Sequence, residues 1–227
     1  MKEERIVVGC KGLVGKAIAN VFNATFGIDV GMGENYKSKT DNHQILHIAI
    51  PYNKYFTKDV KNYIDTIKPD MVLIHTTCKV GSTREIQEYA NMPVLHCPVD
   101  GVHEVGTKRM EIDIRKYGMC VGGINRKDVQ YCCAYVHRFG IMPFMFYNPE
   151  ITETCKILQT NRMTQLVEFD NKVEEHFYNN EMNYNDYLIY MNRLRKVFSR
   201  IHTFTGKLDE KISGKHCFSD NKGLIDL

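Results

Sequence analysis

No apolar run in this sequence is long enough to span a bilayer, which excludes a helical membrane protein. Charge of one sign is also scarce. The 30 Lys and Arg against 27 Asp and Glu leave a formal +3, and no basic stripe carries interleaved aromatics, so nothing points to nucleic acid. None of the eight cysteines falls in a CxxC or a Cys/His spacing suited to zinc, so no metal is expected. Cys10, Cys78, Cys97, Cys120, Cys132, Cys133, Cys155 and Cys217 stand largely in apolar segments, where a free thiol acts as a small hydrophobe. The start, MKEERIVVG, passes from charge straight into an apolar run, without the apolar core and cleavage site of a secretory signal. A cytoplasmic protein with reduced thiols is the expectation.

What is present is concentrated in the first seventeen residues. Ile6-Val7-Val8 reads as a buried strand that breaks into Gly9-Cys10-Lys11-Gly12-Leu13-Val14-Gly15 and re-enters as a helix. Glycines there let the chain turn sharply, let backbone approach a phosphate pair with no Cβ between, and let the helix pack closely on its strand. The helix N-terminus adds unpaired N–H groups and the positive end of a dipole. The spacing is GxxGxxG, one residue longer than GxGxxG. These seven residues are the candidate cofactor-binding turn; a plain strand–turn–helix with glycines at the bend is the competing reading. A carboxylate about twenty residues further on would bind the adenosine ribose and favour NAD. Asp29 and Glu34 lie near that distance, neither cleanly at the end of a strand, and Glu34 stands as the candidate. Lys37 and Lys39 would favour NADP, but read better as a solvated loop, so the cofactor is NAD or NADP.

Strand and helix signals then alternate. A helix from about Val14 to Thr25 is followed by a weak strand near Ile28 to Met32 and a strand from Ile45 to Ile50 that ends at Pro51. A helix over Phe56 to Ile67, a strand over Met71 to His75, a helix over Ser82 to Tyr89 and a strand over Val94 to Cys97 come next. The run closes with a strand at Gly118 to Gly122, a helix at Asp128 to Phe139 and a strand at Met142 to Phe146. This alternation predicts crossover units and a mostly parallel sheet that binds ligands at the carboxyl ends of its strands. Past Pro149 the pattern becomes helical. Ile151, Cys155, Leu158, Leu166, Phe169, Val173 and Phe177 share one face, interrupted by Arg162, and a second helix carries Tyr184, Tyr187, Met191, Leu194, Phe198 and Ile201. The expected organisation is an α/β domain over 1–148, a helical hairpin over 149–204 and a polar tail over 205–227. The hairpin stripes either pack on the α/β body or form a homodimer interface.

Three segments carry a family resemblance across about residues 5 to 165. Leu46-His47-Ile48-Ala49-Ile50-Pro51-Tyr52 resembles the strand and loop after the second crossover in nucleotide-sugar dehydrogenases. Thr76-Thr77-Cys78-Lys79-Val80-Gly81-Ser82-Thr83 resembles the STVPxGTT motif of UDP-glucose and GDP-mannose 6-dehydrogenases, with Cys78 and Lys79 departing from it. His96-Cys97-Pro98-Val99-Asp100-Gly101-Val102 is similar to the substrate-side APVSGG loop of the β-hydroxyacid dehydrogenases. The GxxGxxG spacing is closer to prephenate dehydrogenases of the same superfamily. The fold implied is a Rossmann-like, mostly parallel α/β sheet followed by the C-terminal helical hairpin.

The resemblance also assigns roles. Pro51, Thr76 and Thr77 fall on the cofactor side, where hydroxyls at a strand end can meet a ribose or carboxamide. Asp100, Gly101 and His103 fall in the substrate loop, whose bland reading is a solvated connection. Gly81-Ser82-Thr83 reads as a turn and N-cap. Lys156 matches the lysine that assists proton transfer in this superfamily, although Thr160 stands where an Asn is expected four residues later. Asn161 is one step off that face. These sequences imply hydride transfer between nicotinamide and a small hydroxylated substrate. The 227 residues contain no counterpart of the domain that supplies a nucleophilic cysteine to nucleotide-sugar dehydrogenases, and Cys217 does not resemble that motif, so a two-electron reaction is expected. A non-catalytic dinucleotide or nucleotide-sugar binding module is the rival. An S-adenosylmethionine-dependent methyltransferase is a third reading, and the STVPxGTT-like segment speaks against it.

Overall fold

The computed structural model describes residues 3–29, 42–101 and 106–197, so Glu34, Lys37, Lys39, His103, Cys217 and the expected tail at 205–227 lie outside the described residues. Strands β1 (Glu3–Val8), β2 (Phe26–Ile28), β3 (His43–Ile48), β4 (Met71–Ile74), β5 (Val94–His96), β6 (Met119–Gly122) and β7 (Pro143–Phe146) form one sheet in the order β2-β1-β3-β4-β5-β6-β7. All neighbours are parallel except β5 and β6, which run antiparallel and share a single register pair, His96 with Gly122. The architecture is the Rossmann-like α/β sheet that the alternation predicts.

The strands are apolar on both faces, as a parallel sheet covered by helices requires. In β1, Val7 joins one core cluster with Ala17, Ile18, Phe22, Ile114 and Val136, while Ile6 and Val8 join the other with Leu46, Phe56, Val60, Ile64 and Ile86. Helices α1 (Leu13–Val21), α4 (Thr107–Tyr117) and α5 (Arg126–His137) therefore cover one face, and α2 (Phe56–Ile67) and α3 (Ser82–Ala90) the other. Helix α6 (Pro149–Asn179) is continuous over 31 residues, and α7 (Tyr184–Val197) follows. No helix among the described residues is long and apolar enough to cross a membrane.

The chain divides into two compact units, one reaching Leu158 and the other beginning at Gln159. In the second, Phe177 packs on Tyr184 and Tyr187 with ring centroids 6.2 and 5.5 Å apart, which closes the expected hairpin. In the first, the start of α6 departs from the apolar-stripe reading. Its buried residues are Thr152, Glu153 and Ile157, while Ile151 and Leu158 remain 44% and 36% exposed and Cys155 is exposed as well.

Two further elements differ from their sequence patterns. Helix α1 ends at Val21 because Asn23 takes a left-handed φ of 50° and Thr25 turns to pair with Arg5. Helix α4 has no apolar stripe to announce it. Met110 and Ile114 are buried at i and i+4, and Asp113 is buried between them with Arg109 on its carboxylate at 2.9 Å.

Candidate functional site

The three glycines after β1 do separate work. Gly9 has φ +87°, which L residues rarely adopt, and its N–H donates to Ile28 O at 2.8 Å, tying the turn to β2. A Cβ on Gly9 would strike the Ala49 carbonyl at the end of β3, and one on Gly15 would strike Gly9 O, so both hold backbone against backbone. Gly12 is different. It is the N-cap of α1 with ordinary φ −68° and ψ 161°, it is exposed, and an added Cβ would meet only Gly9 O, at 3.3 Å.

The other residues of the turn point elsewhere. Leu13 and Val14 pack against the core, Cys10 lies beside Gly27 with its thiol pushed up by burial and then by Asp29, and Lys11 is exposed. The turn therefore offers backbone N–H groups at a helix start that no side chain caps. Asp29, one residue past β2, accepts the Lys11 N–H on Oδ2 at 2.7 Å. That puts Asp29 at the strand end where a ribose reader belongs.

The chain winds from β1 outward to β2 and then returns to place β3 on the other side of β1, so the strand order reverses between the carboxyl ends of β1 and β3, the switch point where open α/β sheets place ligands. Gly9 lies on one side of it and Ala49-Ile50-Pro51 on the other, with Pro51 exposed. Thr76 follows β4 and donates its hydroxyl to Ile50 O at 2.7 Å, so its hydroxyl proton is committed to the loop after β3; Thr77 is half-buried beside it.

Behind this edge lies a chain of buried imidazoles. The Cys97 carbonyl, which can only accept, takes a hydrogen bond from His75 Nδ1 at 2.7 Å. His75 Nε2 must then accept from His47 Nδ1 at 2.9 Å, and His47 Nε2 accepts from the Tyr135 hydroxyl at 2.9 Å. Burial holds His47 well below the usual histidine range and His75 at about 4. His96 is also fully buried, between Thr152 Oγ1 at 2.8 Å and Thr76 O at 3.2 Å, and burial lowers it to about 3. It is a satisfied core residue.

Lys156 reaches the same edge from α6. Its Nζ lies 2.7 Å from Asp100 Oδ1, in the loop after β5, with the two side chains 15% and 34% exposed. The structure thus joins a candidate catalytic residue to a candidate substrate residue. Gly101 follows, and a Cβ there would strike Met110. Three polar anchors aim the helix. Glu150 takes a two-pronged hydrogen bond from Arg84 at 2.5 and 3.1 Å. Thr152 fills the space Gly122 leaves beside β6, where a Cβ would collide with it. Glu153 accepts from Gly81 N at 2.7 Å, Thr83 N at 2.8 Å and Thr83 Oγ1 at 2.6 Å, with Cys78 Sγ at 3.7 Å. The cap of α3 is therefore Glu153 and not Ser82, whose hydroxyl donates to Lys79 O at 2.6 Å. Burial raises the Glu153 carboxyl against the pull of those donors.

No protein-family model matches this sequence, and no curated protein does. Solved structures do. A UDP-D-ManNAc dehydrogenase from Pyrococcus horikoshii is similar at TM-score 0.67 and 12% identity, over 89% of this chain and 59% of that one. A Mycobacterium tuberculosis 3-hydroxyisobutyrate dehydrogenase solved with L-serine is similar at 0.59 and 11%, over 96% and 75%. Psf3 in complex with NADP+ and 2-OPP is similar at 0.57 and 10%, over 89% and 75%. The fold is shared. This chain spans about three-fifths of the length of the P. horikoshii protein.

Glu153 and Asp29 take their places from the fold and not from a motif. Glu153 carried a faint signal, a carboxylate three residues before Lys156 and so near its helix face, but its partners lie some 70 residues away in α3. Asp29 lies near the expected distance in sequence, and the end of β2 at Ile28 sets it one residue past the strand.

Proposed function

We propose that this protein binds a nicotinamide dinucleotide at the switch point between β1 and β3 and performs two-electron hydride transfer on a small hydroxylated substrate. The observation that carries the reading is Gly12. Its backbone is one any residue could adopt and an added Cβ would meet one backbone oxygen, Gly9 O, while the helix start beside it is uncapped. Backbone N–H groups of the turn would hold the pyrophosphate, Asp29 the adenosine ribose, and Thr76 and Thr77 flank the nicotinamide side. Asp29 favours NAD, because a carboxylate at that strand end repels a 2′-phosphate. The cofactor, when bound, supplies the hydride acceptor or donor. Lys156 is the cation that stabilises the developing charge on the substrate oxygen, and Glu150, Thr152 and Glu153 position it. The named dehydrogenases and the NADP+-bound neighbour support the reading through their shared fold.

The exposed stripe Ile151, Cys155 and Leu158 supports a homodimer formed through α6. A binding module without turnover is the second reading, favoured by Thr160, which is buried one turn beyond Lys156 where the resemblance calls for Asn. Thermal shift with NADH, NADPH, UDP-glucose and S-adenosylmethionine in parallel tests the proposal. Stabilisation by NADH above NADPH is the expected result, and stabilisation by S-adenosylmethionine alone would replace it with a methyltransferase.

A further inference from the structure

His96 is one imidazole with two partners in two different elements of the site. Its Nε2 lies 3.2 Å from the carbonyl of Thr76, in the loop after β4, and its Nδ1 lies 2.8 Å from Thr152 Oγ1, in the first turn of α6. Thr152 stands one helical turn before Lys156, on the same face of the helix. The ring is fully buried, burial lowers it to about 3, and Lys156 is near enough to add to that lowering. His96 is therefore neutral at neutral pH and carries one N–H for two neighbours. The Thr152 hydroxyl likewise has one proton and faces two acceptors at 2.8 Å, His96 Nδ1 and Pro149 O. Two proton arrangements keep a hydrogen bond between Nδ1 and Oγ1. In the first, Thr152 donates to Nδ1 and Nε2–H donates to the Thr76 carbonyl, so the ring joins α6 to the loop after β4. In the second, Nδ1–H donates to Thr152, Thr152 donates to Pro149 O, and the Thr76 carbonyl faces a bare nitrogen. The two tautomers hold the same number of protons and exchange through solvent when the site opens locally. A ligand that fixes the Thr76 carbonyl favours the first, because only the first gives that carbonyl the imidazole N–H.

Resting on the dehydrogenase reading above, we infer that His96 is a positioning residue that links the dinucleotide to Lys156. A nicotinamide seated against Thr76 and Thr77 selects the tautomer with the proton on Nε2. The Thr152 hydroxyl then turns from its own helix to the ring and fixes the turn of α6 that carries Lys156. The ring gives no proton to the substrate; it acts through Thr152.

The test uses the full chain with isotopically labelled histidine nitrogens, whose NMR signals tell a protonated ring nitrogen from a bare one. Amide hydrogen exchange is followed in parallel, with and without NADH. Calorimetry measures NADH binding, and thermal melts verify folding of wild type, Thr152→Val and Thr152→Ser. Unliganded wild type is expected to populate both His96 tautomers. NADH should put the proton on Nε2 and slow exchange at Glu153 to Ile157 by about fivefold or more, the lower end of an ordinary coupling between sites. Thr152→Val leaves the ring one acceptor, so it should hold the proton on Nε2 with or without NADH, bind NADH, and lose the slowing. Thr152→Ser keeps the hydroxyl and should restore both responses. A merely structural role would lower the melting temperature and leave the response to NADH in place. A wild type that binds NADH with His96 and α6 unchanged overturns the inference. So does a folded Thr152→Val protein that keeps the full slowing. Failure of NADH to bind any of the three proteins sinks the dinucleotide reading instead. The unliganded spectra then still decide whether the ring joins Thr76 to α6, since equal tautomer populations in wild type and Thr152→Val would exclude it.

Discussion

Gly12→Val separates ligand binding from folding more cleanly than any other change in the turn. The position already has φ −68° and ψ 161°, which a β-branched residue adopts without strain, and its Cβ would meet one backbone oxygen at 3.3 Å. Loss of glycine freedom in the unfolded chain offsets part of that contact, so stability should stay within about 1 kcal/mol of wild type. The valine methyls would stand over the start of α1, between the N–H groups and an incoming phosphate. Each hydrogen bond to a charged group is worth about 1.5–3 kcal/mol, so losing one should weaken NADH by about ten- to a hundred-and-fiftyfold. Gly15→Ala is the contrasting change. Its Cβ would fall on Gly9 O, so the helix must shift and the melting temperature should drop sharply. Calorimetric titration with NADH, paired with thermal melts, reads both quantities. A folded Gly12→Val protein with wild-type NADH affinity would refute the reasoning and move the dinucleotide away from the turn.

Lys156→Met should lower turnover by about a hundredfold to ten-thousandfold and leave the NADH dissociation constant within about twofold, because the lysine pairs with the substrate loop; full turnover in this variant would end its catalytic assignment. The melting temperature should fall steadily as pH drops below about 6.5, since His47, His75 and His96 are held below the range of an unfolded histidine and unfolding takes up their protons; folded values near 4 and 3 for His75 and His96 carry the loss down to that range. A melting temperature flat from pH 7 to pH 5 would contradict the buried network. Glu153→Ala strips the acceptor from two backbone N–H groups and a hydroxyl and should cost about 3 kcal/mol in chemical denaturation, whereas Ser82→Ala should cost under about 1. Wild type should scatter light as a dimer and Leu158→Asp as a monomer; a wild-type monomer at micromolar concentration removes the α6 interface.

The sequence was most legible where burial repeats with a period. Helix α2 spans Phe56–Ile67 as its spacing predicts, because Phe56, Val60, Ile64 and Ile67 seal its face. It was least legible where polar side chains settle the structure. Thr107–Tyr117 places a buried Asp113 in the middle of its inner face, so periodicity passes over α4. The first turns of α6 invert the usual rule, with Glu153 and Thr152 inside and Ile151 and Cys155 outside, because the inner face docks on the backbone N–H groups of α3 and on an imidazole, and only polar groups can satisfy those. Asp100 and Lys156 could each be named as candidates from their neighbours in sequence, but 56 residues separate them, and no local pattern reports that they touch.

The single register pair between β5 and β6 divides the sheet into a five-strand parallel slab and a two-strand ribbon joined along a seam. Helix α6 grows out of the ribbon, yet the polar partners of its first turns, Arg84, Thr83, His96 and Asp100, belong to the slab. Side chains, not a backbone ladder, thus carry the mechanical load across the seam. A change that loosens Glu150, Thr152 or Glu153 should raise hydrogen exchange across β6 and β7 and dislodge Lys156 together, so that stability of the ribbon and readiness of the site rise and fall as one quantity.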